Sequence, residues 1–105
     1  MIPLENQEQF ESLINPANKN DPFVVVYFTA SWCGPCSRLD KDLIQASVPG
    51  ATWYKCDIDK NKYTLGYCGL KSVPSFCVIK NSKFLGKFSS SDTSMVIEML
   101  NSVPN

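Results

Sequence analysis

The sequence predicts an α/β domain in which a mixed five-stranded sheet is flanked by four helices. Residues 23–29, Phe-Val-Val-Val-Tyr-Phe-Thr, are apolar almost without alternation and rich in β-branched side chains, which is the pattern of a central strand covered on both faces. Strand-like and helix-like stretches follow one another in the order β-α-β-α-β-α-β-β-α, and strands separated by helices tend to run parallel. The last two strands are separated by only Asn81 and Ser82. A tight turn of that length makes them antiparallel.

Taken in order, residues 2–4 read as a short strand that Pro3 confines to an edge. Asn6 is placed to cap a helix over residues 7–14, with Gln9 three positions on and Phe10, Leu13 and Ile14 on one face. Pro16 stops it. Residues 15–22 form a polar connecting loop, and residues 23–29 the central strand. The spacing of Cys36, Leu39, Leu43 and Ser47 predicts one helix over residues 33–46, ending before Pro49-Gly50. Strand character returns over 51–58. Asp59 is the expected cap of a short helix containing Tyr63 and Tyr67, closed by Gly69. Residues 75–80 form the fourth strand. In the fifth, Phe84, Gly86 and Phe88 should share a face, with Lys83 and Lys87 on the other, as suits an exposed edge. Ser91 or Asp92 then caps a helix whose stripe is Met95, Val96, Met99, Leu100 and Val103.

One domain is expected over 1–105, because a chain of 105 residues buries roughly two-thirds of its unfolded surface without staples. Ten basic residues balance ten acidic ones and no basic run occurs, which gives nucleic acid no electrostatic foothold. No stretch of ~20 apolar residues is present for a membrane span, and the first ten residues are too polar for the core of a signal peptide. A cytoplasmic protein, monomeric and without a cofactor, is expected. The five cysteines, Cys33, Cys36, Cys56, Cys68 and Cys77, are an odd number for a secreted disulfide framework, so most are expected to be free thiols in a reducing compartment.

Chemistry concentrates at Trp32-Cys33-Gly34-Pro35-Cys36, between the apolar strand and the helix that follows. Structural zinc would require four thiolate or imidazole ligands, but the chain has no histidine and no second CxxC. The alternative is a redox pair. Cys33, at the N-terminus of the predicted helix, would be favoured as the thiolate and attack a disulfide; Cys36 would then resolve the mixed disulfide. Gly34 leaves room for a substrate backbone, and Pro35 in a first helical turn loses no needed hydrogen bond. Trp32 reads either as a buried strand-end residue or as an exposed apolar platform for substrate, the second being preferred beside a CxxC. Pro74 is on its own most simply a turn proline.

The residues that carry a family resemblance are 24–28, Ala30-Ser31-Trp32-Cys33-Gly34-Pro35-Cys36, Lys55-Cys56-Asp57-Ile58-Asp59, Val73-Pro74-Ser75-Phe76 and Gly86-Lys87-Phe88-Ser89. Over nearly its whole length the sequence resembles the thioredoxin family. The resemblance implies a thioredoxin fold and dithiol–disulfide exchange on protein substrates. It implies a cis Val73-Pro74 bond facing Cys33, and a substrate surface made of Trp32, Val73, Pro74, Asp59 and Ser90. The implied partners are a thioredoxin reductase and disulfide clients such as peroxiredoxins and ribonucleotide reductase.

Some positions depart from the family. Tyr27 stands where a buried aspartate is common, while Lys55 keeps the partner position. Tyr27 is read mainly as packing, with water, aided by Lys55 or Asp57, taking the proton of Cys36. Lys41 replaces a helix-kinking proline, so a straighter helix is expected. Ser90 replaces a groove glycine and is expected to alter partner preference. Cys56 and Cys77 are expected to be inert core residues, whereas Cys68, where animal thioredoxins carry an extra cysteine, is a candidate exposed regulatory thiol. Beside general disulfide reduction stand two other readings: a redox carrier dedicated to one pathway, and a binding subunit of a larger assembly.

Overall fold

The computed structural model describes residues 1–104. The strands are β1 (Ile2–Pro3), β2 (Phe23–Thr29), β3 (Thr52–Asp57), β4 (Ser75–Lys80) and β5 (Lys83–Ser89), and the helices are α1 (Gln7–Leu13), α2 (Lys41–Ala46), α3 (Thr64–Tyr67) and α4 (Thr93–Ser102). The sheet order is β1-β3-β2-β4-β5. β1, β3 and β2 run parallel, while β4 and β5 are antiparallel to their neighbours. This is the mixed sheet that the order of elements predicts.

β2 lies at the centre because both of its faces are apolar. Val24, Val26 and Phe28 join Phe10, Leu13, Cys56, Cys68 and Cys77 in the core beneath α1 and α3. Val25 and Tyr27 join Ile44, Val48, Trp53, Phe76, Val96 and Leu100 in the core beneath α2 and α4. The unbroken run of apolar residues is thus two alternating sets, each with its own layer of helix to cover it.

Three local expectations are corrected. The single helix over 33–46 is a four-residue 3-10 turn (Pro35–Arg38) followed by α2, with Leu39 extended between them at φ −79°, ψ 131°. The break comes from Asp40, whose carboxylate accepts a hydrogen bond from Leu43 N at 3.1 Å and starts a new helix. Restarting shifts the helical phase, so Ile44 is buried and Leu43 is half exposed. The absence of proline at Lys41 therefore does not yield a straighter helix. In β5, Leu85 is an extra residue between the pairs Val78–Gly86 and Ile79–Phe84. This bulge sends Phe84 to Phe10 under α1 and Phe88 to Phe76 on the opposite face, so the two do not share a face. Met95 is half exposed and stands outside the buried stripe of α4, which Asp92 caps through Met95 N.

Gly69 closes α3 as expected, at φ +75°, a conformation that suits glycine. Asn81 and Ser82 are both left-handed, at φ 51° and 63°, which matches the twist of the β4–β5 hairpin.

Candidate active site

Cys33 and Cys36 are joined in a disulfide, S–S 2.12 Å with Cα atoms 5.3 Å apart. They sit just beyond the C-terminal end of β2. Cys33 N donates to Ala30 O at 3.2 Å, so the chain turns immediately on leaving the strand. The 3-10 turn begins with Pro35 in its first position, where the missing N–H is not needed. Ser37 Oγ donates to Gly34 O at 2.6 Å, and Cys36 N donates to Cys33 Sγ at 3.1 Å. That amide points at the first sulfur and would support negative charge there after reduction. The support for Cys33 therefore comes from a nearby amide in a tight turn and not from the end of a 14-residue helix, as the spacing had predicted.

Both cysteines are nearly covered, with Cys33 7% and Cys36 4% exposed. They pack with Ala30, Ile58 and Val73. The Val73-Pro74 bond is cis, as the resemblance implies; Val73 packs against the pair, and Pro74 is buried. Gly34 is exposed, and a Cβ built on it meets nothing within 4 Å.

Trp32 is 67% exposed, so it is a surface residue and not a buried strand-end one. Its Nε1 donates to Asp59 Oδ1 at 3.0 Å, and Asp59 N donates to Asp57 Oδ1 at 3.0 Å. Asp59 is therefore a corrected assignment. It does not cap α3, whose first flanking residue is Tyr63 without a side-chain cap; it holds the Trp32 indole in place. No sequence signal links residues 27 positions apart, so local reading missed this contact.

Tyr27 is fully buried and stacks on Phe76 with centroids 5.1 Å apart. Its hydroxyl has no hydrogen-bond partner of ordinary geometry among the described residues. Burial pushes that hydroxyl above its usual range, and the nearby Thr29 side chain draws it back only in part. A phenol in that setting is no base at neutral pH. Lys55 is exposed at the register position beside Tyr27 and lines a surface cavity of about 540 Å³ with Met1, Pro3, Leu4, Glu5, Asp57 and Lys60. It is not in the sulfur cluster.

Lys41, not among the residues predicted for the site, is brought to it. Its Nζ donates to Cys36 O at 3.5 Å and lies 5.8 Å from the centroid of the Tyr27 ring. Ser90 Oγ accepts from Asp92 N at 3.1 Å, so its hydroxyl is used at the start of α4. Cys68 is a second correction, being buried at 6% exposure because it ends α3 facing the core around Phe10.

The chain matches the thioredoxin family model over residues 2–102. It is 32% identical to thioredoxin from Geodia cydonium, an alignment covering 81% of this chain and 80% of that protein. The crystal structure of mitochondrial thioredoxin 3 from Saccharomyces cerevisiae, oxidized form, superposes with a TM-score of 0.82 at 27% identity, covering 98% of this chain and 95% of that one. A structure titled for the thiol resolving mechanism in yeast mitochondrial 1-Cys peroxiredoxin via glutathione/thioredoxin systems matches with TM-score 0.82, 26% identity and coverage of 98% and 95%. With its paired cysteines in the turn after the central strand and the cis proline loop against them, the chain belongs to the thioredoxin family and is a thiol–disulfide oxidoreductase.

Proposed function

We propose that this protein reduces disulfides of protein clients and is itself returned to the dithiol by a thioredoxin reductase. The observation that carries the reading is the Cys33–Cys36 disulfide, nearly buried beside the exposed, pinned Trp32. In the reduced protein, Cys33 Sγ attacks one sulfur of the client disulfide as a thiolate, and the client's other sulfur leaves and takes up a proton. Cys36 then loses its proton and attacks Cys33 Sγ. The bond between Cys33 and the client breaks, the client leaves with its second thiol, and Cys33–Cys36 closes. Two electrons pass from the dithiol to the client.

Peroxiredoxins are proposed as one client class, supported by the peroxiredoxin-related structure among the neighbours, and ribonucleotide reductase as another by family resemblance. A cytoplasmic, monomeric protein is the proposed setting. Insulin reduction by dithiothreitol tests the activity: the reduced protein should accelerate precipitation at least tenfold, and Cys33→Ser or Cys36→Ser should remove the acceleration. An unaccelerated reaction would favour the binding-subunit reading. Replacement of the common acid by Tyr27 and of the groove glycine by Ser90 favours, as a second reading, a carrier dedicated to one pathway. Trapping clients with Cys36→Ser separates one client from many.

A further inference from the structure

We propose that Lys41 is a positioning residue for the resolving step, supplying the positive charge that favours the Cys36 thiolate. Cys36 must ionise before it can attack Cys33. Where the family resemblance implies a carboxylate to take that proton, this chain has Tyr27, buried and with its hydroxyl lacking a partner of ordinary geometry among the described residues. What the structure puts on Cys36 is an ammonium: Lys41 Nζ sits 3.5 Å from the Cys36 carbonyl oxygen and over the Tyr27 ring. Its stem is half buried at the first position of α2. A cation held on the backbone carbonyl of the resolving cysteine adds positive potential to that residue and so favours the charged form of its thiol, and the proton passes to water without an acid relay.

The helix break at Leu39 makes this geometry. Because Asp40 restarts the helix, Lys41 belongs to the first turn of α2 and reaches back across the break to Cys36. The other charged or titratable groups on the surrounding elements have defined places. Asp40 and Asp92 accept the capping amides of α2 and α4, and Asp57 and Asp59 hold the Trp32 side of the site. Tyr27 packs from β2 with its hydroxyl neutral. Arg38 and Asp42 are exposed, on the 3-10 turn and on α2, as is Glu98 on α4.

The role rests on the exchange chemistry proposed above, and one experiment separates the two. In stopped flow, 5,5′-dithiobis(2-nitrobenzoate) mixed with excess reduced protein releases one thionitrobenzoate when Cys33 attacks and a second when Cys36 resolves. Absence of the first release would overturn the exchange chemistry itself. Lys41→Met should leave the first release unchanged and slow the second about threefold at pH 7: a one-unit rise in the ionisation midpoint leaves a tenth of the thiolate, and the more basic sulfur recovers roughly threefold in nucleophilicity. Lys41→Arg should restore the parent rate. Peptide-resolved iodoacetamide labelling of Cys36 in a Cys33→Ser background should show the midpoint moving up by about one unit in Lys41→Met and returning in Lys41→Arg. Lys41→Gln serves if the methionine variant does not fold. An unmoved midpoint in Lys41→Met, or an equal shift in Lys41→Arg, would overturn the proposal.

Discussion

Five cysteines lie within one small fold, and two surroundings give them opposite chemistry. Cys33 and Cys36 stand in an irregular turn beyond the end of β2, with an amide aimed at one sulfur and an ammonium on the backbone of the other. Cys56 and Cys77 are fully buried in β3 and β4, and Cys68 is buried at the end of α3. Burial, and then the neighbouring Cys68 and Asp57, push the Cys56 thiol up to about 12. Burial, together with contact with the Cys68 side chain, pushes Cys77 well above its ordinary range. Reactivity here is a property of position: regular, apolar structure keeps a thiol neutral, and a turn that aims a backbone amide at the sulfur lets it ionise.

The largest expected effect breaks this comparison outright. Cys33→Ser should lower insulin reduction more than a hundredfold, whereas Cys56→Ala, Cys68→Ala and Cys77→Ala, made singly, should each keep the rate within twofold. A tenfold loss in any of those three would mean that the interior thiols take part.

Next in size is a pH effect. A thiol that ionises less readily when folded holds its proton more tightly than in the unfolded chain, so its contribution is fully present below about pH 9 and is lost as pH rises toward about 12. The slope is about 1.4 kcal/mol per pH unit for each such thiol. Urea titrations between pH 8 and 11 should show stability falling, and falling less steeply in Cys56→Ala; parallel curves for the two proteins would contradict the assignment.

A smaller effect concerns the turn that carries the reactive pair. Asp40→Ala removes the cap of α2 and should cost about 1 kcal/mol, read as a lower urea midpoint. Smallest is Tyr27→Phe, which removes a buried hydroxyl with no partner of ordinary geometry among the described residues. Insulin reduction should stay within threefold and stability should be equal or higher by about 1 kcal/mol. A tenfold slower variant would restore a proton-transfer role to Tyr27.

Most of the fold was legible because strong local signals agreed with the tertiary arrangement. The apolar run of β2, the Asn6 cap of α1, whose side chain accepts from Gln9 N, and the Asn81-Ser82 turn needed no distant partner to be read. The helix after the cysteines was misjudged because Leu39 and Leu43 suit one helical face, while Asp40 acts as a cap and resets the phase. The bulge at Leu85 was invisible for a related reason: alternation counts residues and cannot see one left unpaired. Of the site, the dithiol and the cis proline loop were legible from sequence motif and family resemblance. The Trp32–Asp59 and Lys41–Cys36 contacts were not, since the first spans two loops and the second depends on the broken helix. Cys68 was a candidate for the surface, but its position at the end of a helix says nothing of which way the chain faces.

Gly34 leaves a different kind of record. Its φ of −58° is open to any residue, and a methyl group there would touch nothing in the free protein. Neither packing nor backbone shape asks for glycine at this point. Whatever the position demands is therefore demanded by the complex, when a client's chain passes over the disulfide. Gly34→Ala should fit the isolated molecule without a clash, and its cost should appear when a client is docked.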